Sequence, residues 1–196
     1  MRTQLLMLLT SVVVTPLVLA QGKNATCGDA NHYRWAQKTD TTLGYKPPVA
    51  ADLAQIVGSW TAPALPADDW CAPRQGNELN TYSIMGWVRV LRAQPDSDWH
   101  IEITANAAAP LASCMLVEIP PIRYGSAFAT ARSQLARALS GSQVTPAGFV
   151  RPAVQLRFTG AAFYDGWHLT HGSHGHCNQL PGGLWELHPV YSVQTP

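Results

Sequence analysis

A strict alternation of apolar and polar residues begins at residue 81, and it constrains this chain more than any other feature. Thr81 to Arg92 reads TYSIMGWVRVLR, with Tyr82, Ile84, Gly86, Val88 and Val90 on one face and Met85, Trp87, Arg89 and Leu91 on the other. A period of two over this length predicts a β-strand, and the central Gly86 predicts a bend or bulge in it. Gln94-Pro95-Asp96-Ser97-Asp98 is turn chemistry. Trp99 to Thr104 alternates again, setting Trp99, Ile101 and Ile103 against Asp98, His100 and Glu102, so the two strands should form a hairpin. Ser113 to Ile119 reads as a third strand, closed by Pro120-Pro121. Ala127 to Leu139 is rich in helix formers behind Ser126 as N-cap, with an apolar stripe of Phe128, Ala131, Leu135 and Leu139 and a stop at Gly141. Val154 to Phe163 and Leu184 to Val193 are the fourth and fifth strands, separated by a loop rich in His and Gly.

Strand, strand, strand, helix, strand, strand is the element order of an OB-like barrel, a mainly β, five-stranded cylinder with one helix between strands three and four. An open α+β sheet with the helix on one face is the rival arrangement. Residues 21–80 lack sustained periodicity and are broken by Pro47-Pro48, Pro63, Pro66 and Pro73. Val49 to Val57 is their one short helical candidate, and Trp35, Trp60 and Trp70 suit anchors pressing an irregular wrap onto the barrel. The expected division is thus a leader over 1–20, an irregular N-terminal segment over 21–80 and the barrel over 81–196.

The leader, MRTQLLMLLTSVVVTPLVLA, has a positive start at Arg2, an apolar run from Leu5 to Leu19, and Val18 and Ala20 before a cut ahead of Gln21. These are the marks of a secretory signal peptide, and they imply a secreted or periplasmic chain with no membrane span once the leader is removed. Loss of Arg2 takes the formal charge from +1 to zero, which leaves no strong electrostatic case for non-specific nucleic-acid binding. Ten of the thirteen basic residues are arginines, suited to fixed bidentate contacts. An even count of four cysteines in an exported chain reads as two disulfides. In an OB-like barrel strands three and five lie side by side, and Cys114 and Cys177 stand near their starts, so Cys114–Cys177 and Cys27–Cys71 are the favoured pairs. Asn24-Ala-Thr26 is a formal glycosylation sequon.

The segments DWHIEI, FTGAAFYDGWH and LWELHPVYSV resemble a group of exported bacterial proteins that end in a Trp-Glu-Leu/Ile-His-Pro-Val run. The likeness spans roughly residues 80–193. It implies export and the domain boundaries, and carries over no catalytic residue.

Two constellations could carry chemistry. Asp165, His168, His171, His174 and His176 crowd a glycine-rich loop, which can ligate metal or simply be a solvated polar loop. Asp98, His100 and Glu102 share a face of strand two, as Glu186 and His188 do of strand five, while Arg89 and Arg157 lie opposite the apolar faces of strands one and four. If the apolar faces fill the barrel, all of these groups face water, as a site or as cross-strand ion pairs. Pro189 predicts a protected or edge position for Trp185 to His188. Trp87, Arg89, Asp98, His100, Glu102 and Arg157 are the candidate ligand-binding residues, and His100, His168 and His188 the candidate ligands of a divalent metal ion. No nucleophile motif such as GxSxG or HExxH occurs. The expected function is an exported, disulfide-stabilised binding module for a nucleic acid, a glycan or an envelope protein. The alternatives are a metal-dependent hydrolase of phosphate esters and a structural envelope component.

Overall fold

The computed structural model describes residues 32–65, 69–177 and 180–196; the leader, the Asn24 sequon and Cys27 lie outside the described residues. The strands are β1 (Val49–Ala51), β2 (Thr81–Ala93), β3 (Trp99–Thr104), β4 (Met115–Ile119), β5 (Gln143–Val144), β6 (Phe149–Tyr164) and β7 (Trp185–Gln194), and the helices are α1 (Trp35–Lys38), α2 (Leu53–Ser59) and α3 (Ser126–Ala138). The sheet runs β1-β2-β3-β4-β7-β6-β5, and a further pairing of β2 with β6 joins its ends. That pairing, from Thr81↔Ala161 to Val90↔Phe149, closes β2, β3, β4, β7 and β6 into a five-stranded barrel and rules out the open sheet. β4 and β7 run parallel at Leu116↔Glu186 and Val117↔Leu187, as the element order requires. β1 and β5 are short additions, and α3 lies between the third and fourth barrel strands.

The apolar faces fill the cylinder. Ile84 and Val88 of β2, Ile101 and Ile103 of β3, Met115 and Val117 of β4, Leu156 and Phe158 of β6, and Leu187 and Val190 of β7 belong to one buried cluster. α3 adds the expected Phe128, Ala131 and Leu135. Ser126 is its first residue rather than its cap, which is Gly125. Gly86 is not the bulge. A Cβ there would stand 2.7 Å from Ile103 Cδ1, so the glycine serves a close approach of β2 to β3, while the register slips at Arg89, between Val88 and Val90.

β7 is paired on both flanks, so the stretch before Pro189 is a protected position and not an edge. Its register against β6 passes from Phe158↔Val193 and Thr159↔Ser192 to Gly160↔Val190 and then Ala162↔Leu187. Two residues of β7 are therefore supernumerary, one at Tyr191 and one at His188-Pro189. The proline, which has no N–H to give, falls in a bulge where the ladder is already interrupted.

The wrap holds by specific anchors. The expected helix over Val49 to Val57 divides instead into β1, which pairs parallel to β2, and α2, which Asp52 caps by accepting from the Gln55 N–H at 2.9 Å. Trp60 stands edge-on to Tyr82 and Trp185 at 5.0 and 5.1 Å between ring centres. Arg34 forms a two-pronged pair with Glu78 at 2.8 and 2.9 Å, both side chains fully buried. Glu78 also accepts from the backbone N–H of Tyr164 at 2.9 Å, so one ion pair ties the wrap to β6. No helix among the described residues is long and apolar enough to cross a membrane.

Candidate functional site

Alternation aims His100 and Glu102 of β3, Glu118 of β4, and Glu186 and His188 of β7 away from the barrel interior, and His100 stands directly opposite Glu118. The expectation that this face meets water is corrected by the structure. Asp98, Glu102 and His188 are 0% exposed, and His100, Glu118 and Glu186 are buried as well. The reason is a second layer. The wrap lays Tyr33, Trp35 and Lys38 over the face, and the loop after β6 brings Asp165, His168 and His174. The Cys114–Cys177 disulfide, spanning 63 residues, staples that loop to the start of β4. Gly175 of the loop has φ +56, and a Cβ there would strike the Glu102 carboxylate; only glycine lets the loop press this close. The expected Cys27–Cys71 pair falls on Cys27, outside the described residues, and no described cysteine is free.

Between the two layers the imidazoles and carboxylates form a continuous network. Glu118 reaches His100 Nδ1 with Oε1 at 2.9 Å and His188 Nδ1 with Oε2 at 3.0 Å. Glu186 Oε2 is 3.1 Å from the same His188 nitrogen, and its Oε1 is 2.5 Å from His174 Nε2. Glu102 holds His100 Nε2 at 3.3 Å and His176 Nδ1 at 2.7 Å. His174 Nδ1 is 2.9 Å from the carbonyl oxygen of Gly183, to which it donates. Lys38 Nζ and His168 Nδ1 lie 3.0 and 3.2 Å from Asp165 Oδ2. Asp98 Oδ2 is 3.1 Å from His188 Nε2 but out of line with it, so neither oxygen of this fully buried carboxylate completes a hydrogen bond. Arg74 fixes the bulge itself, donating to the carbonyls of His188 at 2.8 Å and of Ala162.

Burial opposes every charge in this layer, and the partners decide which survive. Burial would lower His100, but hydrogen bonds to Glu102 and Glu118 outweigh it and hold the ring at about 9. Against the same burial, Asp98, Glu118 and Glu186 hold His188 well above the ordinary histidine range, and Glu186 raises His174. Burial would raise Glu118 and Glu186, yet the imidazoles and the Lys38 charge keep both below the usual carboxylate range. Asp165 is likewise held low against its burial, by Lys38 first and His168 next. Asp98 goes the other way: burial raises it, and His188 only partly offsets that.

A cavity of about 830 Å³ opens above the network. His100, Glu118, Asp165, His174, Glu186 and Lys38 make its floor; Tyr33, Trp35, Trp70 and Trp167 contribute aromatic faces; Arg92 near the end of β2 and Gln94, Pro95 and Asp96 of the β2–β3 turn border it. Of the residues singled out from the sequence, His100, Asp165, His168, His174 and Glu186 line it, and Asp98, Glu102 and His188 are packed beneath or beside its floor. Trp87, Arg89 and Arg157 do not line it. Arg89 donates instead to the Ala109 carbonyl at 2.9 Å, and Arg157 stands between Met85 and Gln194 on the outside of β6. His100, His168 and His188 belong to the network but to no common ligand set. The sets whose donor atoms lie within 4.8 Å of one another are Asp98, Glu118 and His188, and Asp165, His168 and His174. A third set, Glu102 with Cys114 and Cys177, has both sulfurs in the disulfide. His171 is exposed and stacks on Trp167 at 4.8 Å between ring centres.

Glu118 and Lys38 escaped the sequence reading. Glu118 had a usable signal, since alternation in MLVEI places it on the polar face, opposite His100. Lys38 had none, because the wrap has no period to orient it. Comparison with known protein families, with curated proteins and with solved structures finds no match.

Proposed function

We propose that this protein is an exported binding module and that it holds a glycan in the cavity over β3, β4 and β7. The observation that carries the reading is the cavity's place on the barrel. It is built from the outer face of the second and third barrel strands, the loop between strands one and two, and the loop between strands four and five. OB barrels take up oligosaccharides and oligonucleotides in that region; this step is an analogy of fold.

The chemistry of the lining favours the sugar. Its carboxylates are already matched to Lys38 and to imidazoles held in the charged form, so the floor offers fixed donors and acceptors without a large excess of positive charge for a polyanion. Aromatic faces beside a few convergent polar groups form a site for a ligand that is polar at its edges and apolar on its faces. The phosphate-ester hydrolase reading loses support, since Arg89 and Arg157 lie elsewhere and Arg92 is the one arginine among the described lining residues.

The test is titration of the mature protein with chitooligosaccharides, β-glucan oligomers and soluble peptidoglycan fragments, read by calorimetry and tryptophan fluorescence. We expect saturable binding to one of these classes, weakened at least about fivefold in Trp167→Ala, in line with roughly 1–3 kcal/mol for a stacking aromatic. No saturable binding to any of them, or binding indifferent to Trp167→Ala, would overturn the proposal.

A further inference from the structure

We infer that Asp165, His168 and His174 form a binding site for a divalent transition-metal ion on the floor of the cavity. The inference shares that cavity with the glycan reading but does not depend on it.

One donor atom from each of Asp165, His168 and His174 lies within 4.8 Å of the others, a spread that small side-chain rotations close to the bond lengths of roughly 2.0–2.2 Å that zinc makes to nitrogen and oxygen. Glu186 Oε1, 2.5 Å from His174 Nε2, puts a second carboxylate beside the set. Two features point to a ligand rather than to ion pairing alone. Asp165 is 1% exposed, yet its Oδ1 has no hydrogen-bond partner, although the residue lines the cavity. His174 Nδ1 donates to the Gly183 carbonyl, which leaves Nε2 as the ligating nitrogen; an outer carbonyl that fixes the tautomer in this way is a habitual partner of metal-bound histidine. Lys38 meets Asp165 through Oδ2 and leaves Oδ1 available.

Two imidazoles and a carboxylate suit zinc, cobalt, iron or manganese, and fit neither an all-oxygen calcium site nor a thiolate-loving soft ion. On binding, the ion takes the lone pair of His174 Nε2, and the proton that now joins this nitrogen to Glu186 passes to solvent.

The experiment uses the mature, untagged protein, stripped with chelator and titrated with Co²⁺ and Zn²⁺ alone. We expect one equivalent bound, a visible cobalt absorption band, and shifts of the His168 and His174 ring resonances in the NMR spectrum of the zinc form. The ring shifts need no variant and so survive any folding defect. His174→Ala and Asp165→Asn should each weaken binding by more than about 100-fold, beyond the roughly 10–100-fold cost of losing an outer partner; His171→Ala should leave it unchanged. No stoichiometric binding, ring shifts confined to His171 and His176, or affinity unaffected in a folded His174→Ala protein would each overturn the assignment. Glycan binding by a protein that takes up no stoichiometric metal would show the cavity reading standing while the metal site fell. Tight metal binding with no glycan bound would show the reverse.

Discussion

Raising the pH from 6 to 10 should strip the proton from His100 and take about 3 kcal/mol of stability with it. Burial alone would depress this ring. The carboxylates of Glu102 and Glu118, 3.3 and 2.9 Å from its two nitrogens, outweigh burial and hold it at about 9. In the unfolded chain an imidazole titrates near about 6.5. Because the folded value is the higher one, the contribution is fully present below about pH 6.5 and is lost as the pH rises through about 9. At about 1.4 kcal/mol for each pH unit between the two values, that is about 3 kcal/mol. His174 and His188 are raised as well and act with the same sign. NMR titration of the labelled imidazoles reads His100 directly, and urea unfolding at pH 6, 8 and 10 reads the stability. Glu118→Gln removes one of the two carboxylates and should shift the His100 midpoint downward. A His100 midpoint at or below 6.5, or a urea midpoint that does not move between pH 6 and 10, would refute the reasoning.

Replacing Cys114 and Cys177 by serine opens a link across 63 residues. Chain entropy puts the loss at about 4 kcal/mol, which a melting curve should show as a fall of about 8–16 °C; a fall under about 3 °C would mean that the loop is held by its other contacts. Arg34→Met leaves the carboxylate of Glu78 buried without its cation and should cost about 3–5 kcal/mol in urea unfolding; making Glu78 leucine as well removes the stranded charge but also the acceptor of the Tyr164 N–H, so it should recover only part of the loss. A loss below about 1 kcal/mol in the single variant would show that water reaches the pair.

The barrel was legible because β2, β3, β4 and β6 alternate, and alternation reports which side chains share a face. It cannot report what lies over a face. Asp98, His100 and Glu102 read as a wet surface because their strand was weighed without the wrap and the loop, whose positions depend on Arg34, Gly175 and a disulfide between distant residues. The same blindness hid Lys38, which meets Asp165 across 127 positions of sequence. Helix ends and the Gly86 reading erred for a local reason: a glycine in a strand marks either a bulge or a close neighbour, and the partner strand decides which.

From Leu187 onward the two bulges of β7 give the residues it sets against Ala162, Gly160 and Phe158 a stride of three, Leu187, Val190 and Val193, where an ordinary strand would step by two. The strand is in effect two keyed halves set out of phase by the residues between them. Deleting Tyr191 would therefore remove one bulge and leave Val190, Ser192 and Val193 opposite Gly160, Thr159 and Phe158 in ordinary alternation, so both halves would keep their orientation. A one-residue deletion in a stretch of strand without a bulge has no such reserve and turns over everything beyond it.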